Sequence, residues 1–114
     1  MSPQRIYLAG PVTGLPDANK PAFAFAQQQI ERMGHFAINP HTLVANARIN
    51  PADWQACMRL CINRLTMGAG LTSQPIDMVV MLPGWQQSRG ATLERTIALT
   101  LGIPVKTIEE LQHG

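Results

Sequence analysis

The sequence predicts an α/β domain in which helices cover both faces of a parallel sheet. Short apolar runs of strand length alternate with segments of helical period, and the links between most of them are short. One run, IDMVVMLPG (Ile76 to Gly84), is almost continuously apolar, as is typical of a central parallel strand. Such alternation indicates a three-layer α/β/α fold of the doubly wound, flavodoxin-like (Rossmann-like) kind.

Length and composition indicate a single folded domain that spans residues 1–114. At this size, folding hides about two-thirds of the surface that the unfolded chain exposes, which is enough for one core. Hydrophobic residues make up 46% of the chain and charged residues 14%, so the composition argues against disorder. No apolar run reaches the roughly 18 residues that a membrane span needs, so no membrane partner is expected.

The charge pattern argues against a nucleic-acid polymer as partner. The net charge of +2 comes from Lys and Arg residues scattered along the chain, without a basic run or interleaved aromatic residues. The N-terminal stretch MSPQRIYLAG lacks the charged, apolar and small-residue sections of a signal peptide. A cytoplasmic location is therefore expected.

The first half of the chain predicts two strands and one helix. A strand over Ile6–Ala9 ends at a Gly-Pro pair, and a helix over Pro21–Met33 has proline in its first turn and Gly34 as its stop. A brief strand over Phe36–Asn39 follows. The segment HTLVANARI, residues 41–49, has no clear period and is interpreted as a loop or irregular turn.

A long helix is predicted over Asn50–Met67, with Asn50 as its cap, Pro51 in the first position and Asp53 as a capping-box partner. An apolar stripe is expected to face the core: Trp54, Cys57, Met58, Cys61 and Leu65. The two cysteines lie on one face but have no second Cys or His pair to complete a zinc site. Buried free thiols are the expected state, and no metal site is predicted.

After a polar insertion, GAGLTSQP at residues 68–75, comes the apolar third strand and then a helix within SRGATLERTIALTLG. A last strand over Ile103–Lys106 and a short helix from Ile108 complete the chain. In the helix, Ser88 can cap and Gly102 can stop. Six residues fill one continuous arc that should face the core: Leu93, Ile97, Gly90, Leu101, Ala98 and Ala91.

Glu94 lies in the middle of that apolar arc. A carboxylate there is costly unless it is hydrogen-bonded or reaches a cleft. It is either a functional group or a side chain that bends out to solvent. Tyr7, the only tyrosine, stands in the first strand and either reaches this carboxylate or simply packs in the core.

Three loops should border a ligand site, because ligands of open parallel sheets bind beyond the carboxyl ends of the strands. They are GPVTG after the first strand, NPH after the second and PGWQQSRG after the third. In the third loop, Ser88 can cap the next helix and Gly90 leaves backbone N–H groups open to an anion such as phosphate. Neither G-x-G-x-x-G nor G-x-x-x-x-G-K-[ST] occurs.

Other candidate residues have simpler explanations. Asp77 stands at the amino end of the third strand, roughly 17 Å from the ligand edge, so a structural role is expected. Trp85 either stacks on a base or covers the start of the helix. His35 and His41 flank the second strand, and a Ser-His-Asp or Cys-His relay built on them would need an unusual convergence.

The motifs IYLAGPVTG, DW, MLPGWQQSRGATLE and ALTLGIPV resemble a small family, common in phages and prophages, of the nucleoside 2-deoxyribosyltransferase-like superfamily. The similarity covers nearly the whole chain, and LPGW-x-x-S-x-G-A-x-x-E is its most specific part. The resemblance implies a flavodoxin-like fold and an enzyme that cleaves N-glycosidic bonds or transfers deoxyribosyl groups. Its substrate would be a nucleoside or a nucleoside monophosphate, with no metal or organic cofactor.

By this resemblance Glu94 matches the nucleophile that attacks the anomeric carbon, and Tyr7 matches the tyrosine that orients it. The expected substrate-binding residues surround the sugar, its 5′-phosphate or the base: Gly10, Pro11, Trp85, Ser88, Arg89 and Gly90. Members of the superfamily commonly complete their sites across a dimer interface. A homo-oligomer is therefore expected, in line with the outward positions of Thr92 and Leu99 on the helix.

Two positions depart from the superfamily pattern. Transferases usually carry Asp where this chain has Ser88. A serine at this position resembles the sequence pattern of the branch that hydrolyses nucleoside monophosphates. Relatives also tend to have Asp at the position of Cys61, where it assists the departing base. Two alternatives to an enzyme are therefore kept. One, favoured by the thiol, is a nucleotide-binding module without catalysis, and the other is a phage-type protein that acts by binding a host protein.

Overall fold

In the computed structural model, which describes residues 2–68 and 74–113, four strands form one parallel sheet. The strands are β1 (Arg5–Ala9), β2 (Phe36–Ile38), β3 (Met78–Met81) and β4 (Val105–Thr107), in the order β2-β1-β3-β4. The chain runs from β1 out to one edge and then returns to build the other. This is the doubly wound arrangement that the sequence predicts.

Among the described residues, five α-helices pack around the sheet: α1 (Lys20–Arg32), α2 (Pro40–Asn46), α3 (Trp54–Thr66), α4 (Arg89–Thr100) and α5 (Ile108–His113). Helices α1 and α5 supply the apolar cluster on one face, while α3 and α4 supply the cluster on the other. The predicted three-layer, Rossmann-like α/β/α fold in a single domain is confirmed. None of the helices among the described residues has the length and apolar character to cross a membrane.

The two central strands alternate between the two clusters, as the pleat requires. In β1, Ile6 and Leu8 face α1 and α5, whereas Tyr7 and Ala9 face α3 and α4. All four residues of β3 are buried, which explains its continuous apolar run. The alternation decides which helices the Tyr7 side chain meets.

The prediction of a loop after the second strand is wrong, because residues 40–46 form α2. The Asn39 side chain accepts a hydrogen bond from the backbone N–H of His41, and Pro40 occupies the first turn. Leu43 packs against the cluster of α3 and α4. A helix of seven residues makes only about two turns, too few for the apolar period to be evident in the sequence.

Two further expectations need correction. Helix α3 is capped by Asp53, whose carboxylate accepts from the N–H of Ala56, while Asn50 only forms a turn with Ala52. Leu93 of α4 and Leu101, directly after this helix, are 40% and 56% exposed rather than buried. The buried strip of α4 is narrow because small residues bring the helix close to the sheet: Gly90, Ala91 and Ala98, with Glu94 among them.

Other expectations on local structure hold. Asp77 has the structural role expected of it, since its carboxylate accepts from the backbone N–H of Arg5 and its own N–H donates to the Arg5 carbonyl. The thiols of Cys57 and Cys61 are free, and Cys61 is buried whereas Cys57 is partly exposed. Most of the predicted polar insertion, at residues 69–73, lies outside the described residues.

Candidate active site

A cavity of about 260 Å³ opens at the carboxyl ends of β1 and β3, where the strand order reverses. All three predicted loops contribute to it: Gly10 and Val12 after β1, Pro40 and His41 after β2, and Ser88 before α4. Helix α3 closes one side. The volume is near the lower end of small-molecule pockets, which begin at about 300 Å³, so the cavity suits a compact ligand.

Glu94 and Tyr7 form a buried pair at this cavity. Glu94 is 5% exposed, comes from the second turn of α4 and lines the cavity; Tyr7 is fully buried. The Tyr7 hydroxyl donates a short hydrogen bond to Oε2 of Glu94. That bond fixes one oxygen of the carboxylate and leaves Oε1 available to a ligand.

Burial shifts the protonation of both groups. Desolvation raises the pKa of Glu94 to about 7, although the hydrogen bond from Tyr7 works in the opposite direction by stabilising the carboxylate. The pKa of Tyr7 lies well above its ordinary value, first because of burial and then because of the neighbouring Glu94 charge. Tyr7 is therefore a permanent donor, and Glu94 changes charge near neutral pH.

Cys61 of α3 stands beside the Tyr7–Glu94 pair and also lines the cavity. Burial raises the pKa of its thiol to about 11, with a further contribution from the charge of Glu94 and an opposing one from Tyr7. The thiol is therefore protonated at neutral pH. It is a weak hydrogen-bond donor and does not supply a carboxylate at this position.

The start of α4 borders both the cavity and a second, outer groove of about 600 Å³ that continues from it. The Ser88 hydroxyl accepts from the N–H of Ala91 at 3.1 Å and caps the helix, as predicted. The Arg89 guanidinium stacks 4.1 Å above the Trp54 ring, and both residues line the outer groove. Arg89 is its only charged lining residue among those described, so the groove favours an anion.

Two predicted site glycines lie at close contacts between elements, and packing requires glycine at Gly10. A Cβ on Gly10 would lie 2.8 Å from the Leu82 Cβ, and one on Gly90 would lie 3.1 Å from the Met58 sulfur. Both glycines line the cavity. The absence of a side chain therefore allows β1 to approach the β3 loop and α4 to approach α3, whatever ligand is bound.

The remaining predicted residues lie farther out. Pro11 lines the outer groove but is not among the residues around the inner cavity. Trp85 borders neither: it packs against the cluster of α3 and α4, with the Arg95 guanidinium 4.9 Å from its ring. Of its two predicted roles, the structure favours that of covering the start of the helix.

Several cavity residues were not predicted as site residues. The stripe of α3 that was expected to face the core instead turns Trp54, Cys57 and Met58 toward the cavity. An apolar stripe has the same period in either case, so the sequence carries no signal that distinguishes them. His41 belongs to the NPH segment that was singled out as a loop near the ligand, and the structure places it in the cavity lining.

Within residues 2–68 and 74–113, no cluster of three or more His, Cys, Asp or Glu side chains is arranged to hold a metal ion. Among the polar side chains of the described cavity lining are the Glu94 carboxyl, the Cys61 thiol and the Lys20 amine, and the Tyr7 phenol acts on the ligand only through Glu94. They offer nucleophilic and hydrogen-bonding chemistry.

The fold and cavity define a Rossmann-like α/β protein with a titrating glutamate at its sheet switch point. The chain belongs to the DUF4406 family, a domain of unknown function that matches residues 4–107. The match includes all four strands and the residues of the Tyr7–Glu94 pair. No curated protein and no solved structure matches the chain.

Proposed function

We propose that the protein acts on the N-glycosidic bond of a nucleoside or nucleotide, either hydrolysing it or transferring its deoxyribosyl group, with Glu94 as nucleophile. The observation that carries this proposal is the buried Glu94 carboxylate, held by the Tyr7 hydroxyl and directed into a cavity at the sheet switch point. A fixed, desolvated carboxylate is the kind of group that attacks an anomeric carbon. The motif resemblance assigns the same two residues.

The reaction takes place in two displacements. Glu94 Oε1 attacks the anomeric carbon as the C–N bond breaks, and the base leaves with the bonding electron pair and takes up a proton from water. The resulting glycosyl ester on Glu94 is then attacked by water, which gives the free sugar, or by another base, which gives a new nucleoside. Tyr7 holds the carboxylate in place, and the negative charge of the carboxylate stabilises the positive charge that develops on the sugar.

The anion-binding features favour a nucleoside monophosphate as substrate. The N-terminus of α4, with Ser88 and Gly90, adjoins the cavity, and Arg89 lies in the outer groove that continues from it. Lys20 places a positive charge in the lining of the inner cavity itself. A 5′-phosphate would receive backbone N–H groups and these cations, while the sugar and base occupy the inner cavity.

The test is base release. Wild-type protein is incubated with deoxynucleosides and their 5′-monophosphates, and free base is measured by chromatography. We expect release by the wild type and a loss of at least about a hundredfold in Glu94→Gln, which keeps the shape but removes the nucleophile. Glu109→Gln, the same change at an exposed position of α5, is the matched control and should leave the rate unchanged. Release that persists in Glu94→Gln would contradict the proposal.

Cys61 favours a second candidate function, a nucleotide-binding module without catalysis. Its thiol is protonated at neutral pH and stands where the resemblance places an acid that assists the base. Calorimetry distinguishes the two functions: nucleotide binding without any base release from the same preparation selects the binding module. Restored or accelerated release in Cys61→Asp would instead assign the missing acid to this position.

The setting we propose is cytoplasmic, as a homo-oligomer of a phage-type protein. Helix α4 supports the oligomer because it exposes Leu93 and Leu99, and Leu101 is exposed directly after it. The hydroxyls of Thr96 and Thr100 on the same helix donate to carbonyls one turn earlier, so these residues add little free polarity to the surface. An apolar helix surface of this kind suits association with a second copy.

A further inference from the structure

Trp54 of α3 stands where the inner cavity meets the outer groove. It lines both spaces, as do Ser88 and Gly90 at the start of α4. The nitrogen edge of the indole lies at this junction, because a Cβ on Gly90 would be 3.7 Å from Trp54 Nε1. A ligand that extends from the cavity into the groove therefore passes this edge of the ring.

The indole N–H of Trp54 is a donor that the protein itself does not use. It donates to no acceptor among the described residues, yet the buried polar side-chain atoms without a partner are two others, His41 Nε2 and Arg64 Nη1. Trp54 Nε1 is therefore open at the junction of the two spaces. Because an indole N–H can only donate, its partner in a ligand must be an acceptor.

The Trp54 ring also holds a cation beside this donor. The Arg89 guanidinium lies 4.1 Å from the centre of the ring. Stacking uses the face of the guanidinium and leaves the N–H groups in its plane free to bind an anion. Since Arg89 is the only charged residue in the described lining of the groove, no carboxylate of that lining neutralises it. Donor and cation together favour a negatively charged acceptor.

The spacing along α4 indicates which part of the ligand reaches Trp54. Gly90 and Glu94 are both buried on the face of α4 that lines the cavity, one helical turn apart. Four residues of helix correspond to a rise of about 6 Å. A deoxyribose 5′-phosphate spans a comparable distance between its anomeric carbon and its phosphorus. A sugar whose anomeric carbon faces Glu94 can therefore carry its phosphate to the indole N–H at Gly90.

We propose that Trp54 Nε1 donates a hydrogen bond to the 5′-phosphate of the substrate, and that the Trp54 ring holds Arg89 against the same group. The protein thereby selects nucleoside monophosphates over nucleosides. This inference rests on the proposed function, because it assigns a residue to the phosphate end of the same ligand. Trp54 is a specificity-determining residue: it contacts the phosphate and leaves the attack on the anomeric carbon to Glu94.

The experiment measures the affinities of the common deoxynucleoside 5′-monophosphates and of the matching deoxynucleosides by calorimetry. It uses Glu94→Gln, which binds without turnover, and we expect the monophosphates to bind more tightly. Adding Trp54→Phe, which keeps an aromatic ring but removes the N–H, should weaken the monophosphates by about tenfold, the loss expected of one hydrogen bond to a charged group. The affinity for deoxynucleosides should not change. Trp85→Phe, the same change at a tryptophan that borders neither space, should alter neither affinity.

A second measurement leaves Trp54 in place. The chain has two tryptophans, so its NMR spectrum holds two indole N–H signals, which Trp85→Phe assigns. In Glu94→Gln, the proton signal of the Trp54 indole should move downfield with a monophosphate and not with the matching deoxynucleoside, because a hydrogen bond to a charged oxygen deshields the proton. Equal losses of both affinities in Trp54→Phe, unchanged monophosphate affinity, an indole signal that does not distinguish the two ligands, or no binding of either would each overturn the inference.

The two proposals can fail separately. Base release that depends on Glu94, together with a preference for monophosphates that Trp54→Phe leaves unchanged, retains the enzyme and removes the role of Trp54. Monophosphate binding that depends on Trp54, in a protein whose wild type releases no base, retains Trp54 and contradicts the enzyme.

Discussion

At the scale of single residues, the protonation of Glu94 links stability to chemistry. Burial raises its pKa to about 7, so near neutral pH the cavity holds a mixture of carboxylic acid and carboxylate. Only the carboxylate is a nucleophile. Tyr7 opposes the rise in pKa by donating a hydrogen bond to the charged form. The pair therefore sets the pH range in which the proposed reaction can take place.

The pH dependence of base release tests this pair. The rate should rise as the pH increases through about 7, the pKa of Glu94. In Tyr7→Phe the carboxylate loses its hydrogen bond while burial remains, so the pKa of Glu94 increases and the rising limb should move to higher pH. Rates measured from about pH 5 to about pH 9 check this. A limb that stays in place or moves to lower pH would contradict the role of Tyr7.

The same pKa predicts how stability changes with pH. Because Glu94 has a raised pKa in the folded state, the free energy of unfolding should fall as the pH rises from 4.5 to about 7. The expected loss is about 3 kcal/mol, since a difference of one between the folded and unfolded pKa corresponds to about 1.4 kcal/mol. Glu94→Gln should remove this loss, and its urea midpoint should exceed that of the wild type most clearly above pH 7. Glu109→Gln should keep the wild-type dependence; equal profiles for all three proteins would refute the prediction.

At the scale of elements, the sequence predicts the helices that are long enough to show an apolar period and misses the short one. The helices α1, α3 and α4 and the strand β3 follow from their apolar patterns, caps and stops. Helix α2 was missed because seven residues show too little of the helical period. Its N-cap, Asn39, was predicted to be the last residue of the second strand. The fold was predicted from the alternation of strands and helices along the chain. The capping of a short helix by Asn39 was not predicted.

The candidate site was also predicted only in part. Glu94 was evident because a carboxylate interrupts an apolar arc, and its bond to Tyr7 was one of two options left open. The cavity residues of α3 and His41 were not evident, because a side chain that faces a cavity and one that faces a core follow the same pattern. Only the relative positions of α2, α3 and α4 show which side chains face the cavity and which face the core.

The close contact between the residue after β1 and the loop after β3 predicts that adding one methyl group there lowers the free energy of unfolding. Gly10→Ala would place a Cβ 2.8 Å from the Leu82 Cβ, an atom that cannot move without its backbone. We expect a loss of about 1–3 kcal/mol in the free energy of unfolding, the usual cost of overpacking. Gly68→Ala is the matched control, since its Cβ would meet no atom of the described residues within 4 Å. Equal urea midpoints for the two variants would contradict the close approach.

At the scale of the whole molecule, the order β2-β1-β3-β4 explains why the site lies where it does. The loops after β1 and β3 diverge at the switch point, which leaves a space that α2, α3 and α4 enclose. Glu94 reaches this space from the helix after β3, and Tyr7 of β1 holds its carboxylate from behind. The motifs lie far apart in the chain, and the parallel sheet brings them together.

The exposed side of α4 predicts association. Light scattering at working concentration should give the mass of a homo-oligomer rather than the 12.5 kDa of one chain. Leu99→Lys, which places a charge on a position that is 50% exposed, should shift the mass toward the monomer without loss of the fold. Leu15→Lys, at an exposed leucine in the β1–α1 loop, is the control and should not change it. A monomeric wild type would contradict the proposed oligomer.

The most direct test of the central claim is to locate the covalent intermediate. A nucleoside monophosphate analogue with fluorine beside the anomeric carbon slows both displacements, because fluorine disfavours the positive charge on the sugar, and so traps the glycosyl ester. Peptide mass spectrometry should then find one adduct, with the mass of the sugar phosphate, on Glu94 and none in Glu94→Gln. Base release without an adduct on Glu94, an adduct on another residue, or neither release nor adduct would contradict the account.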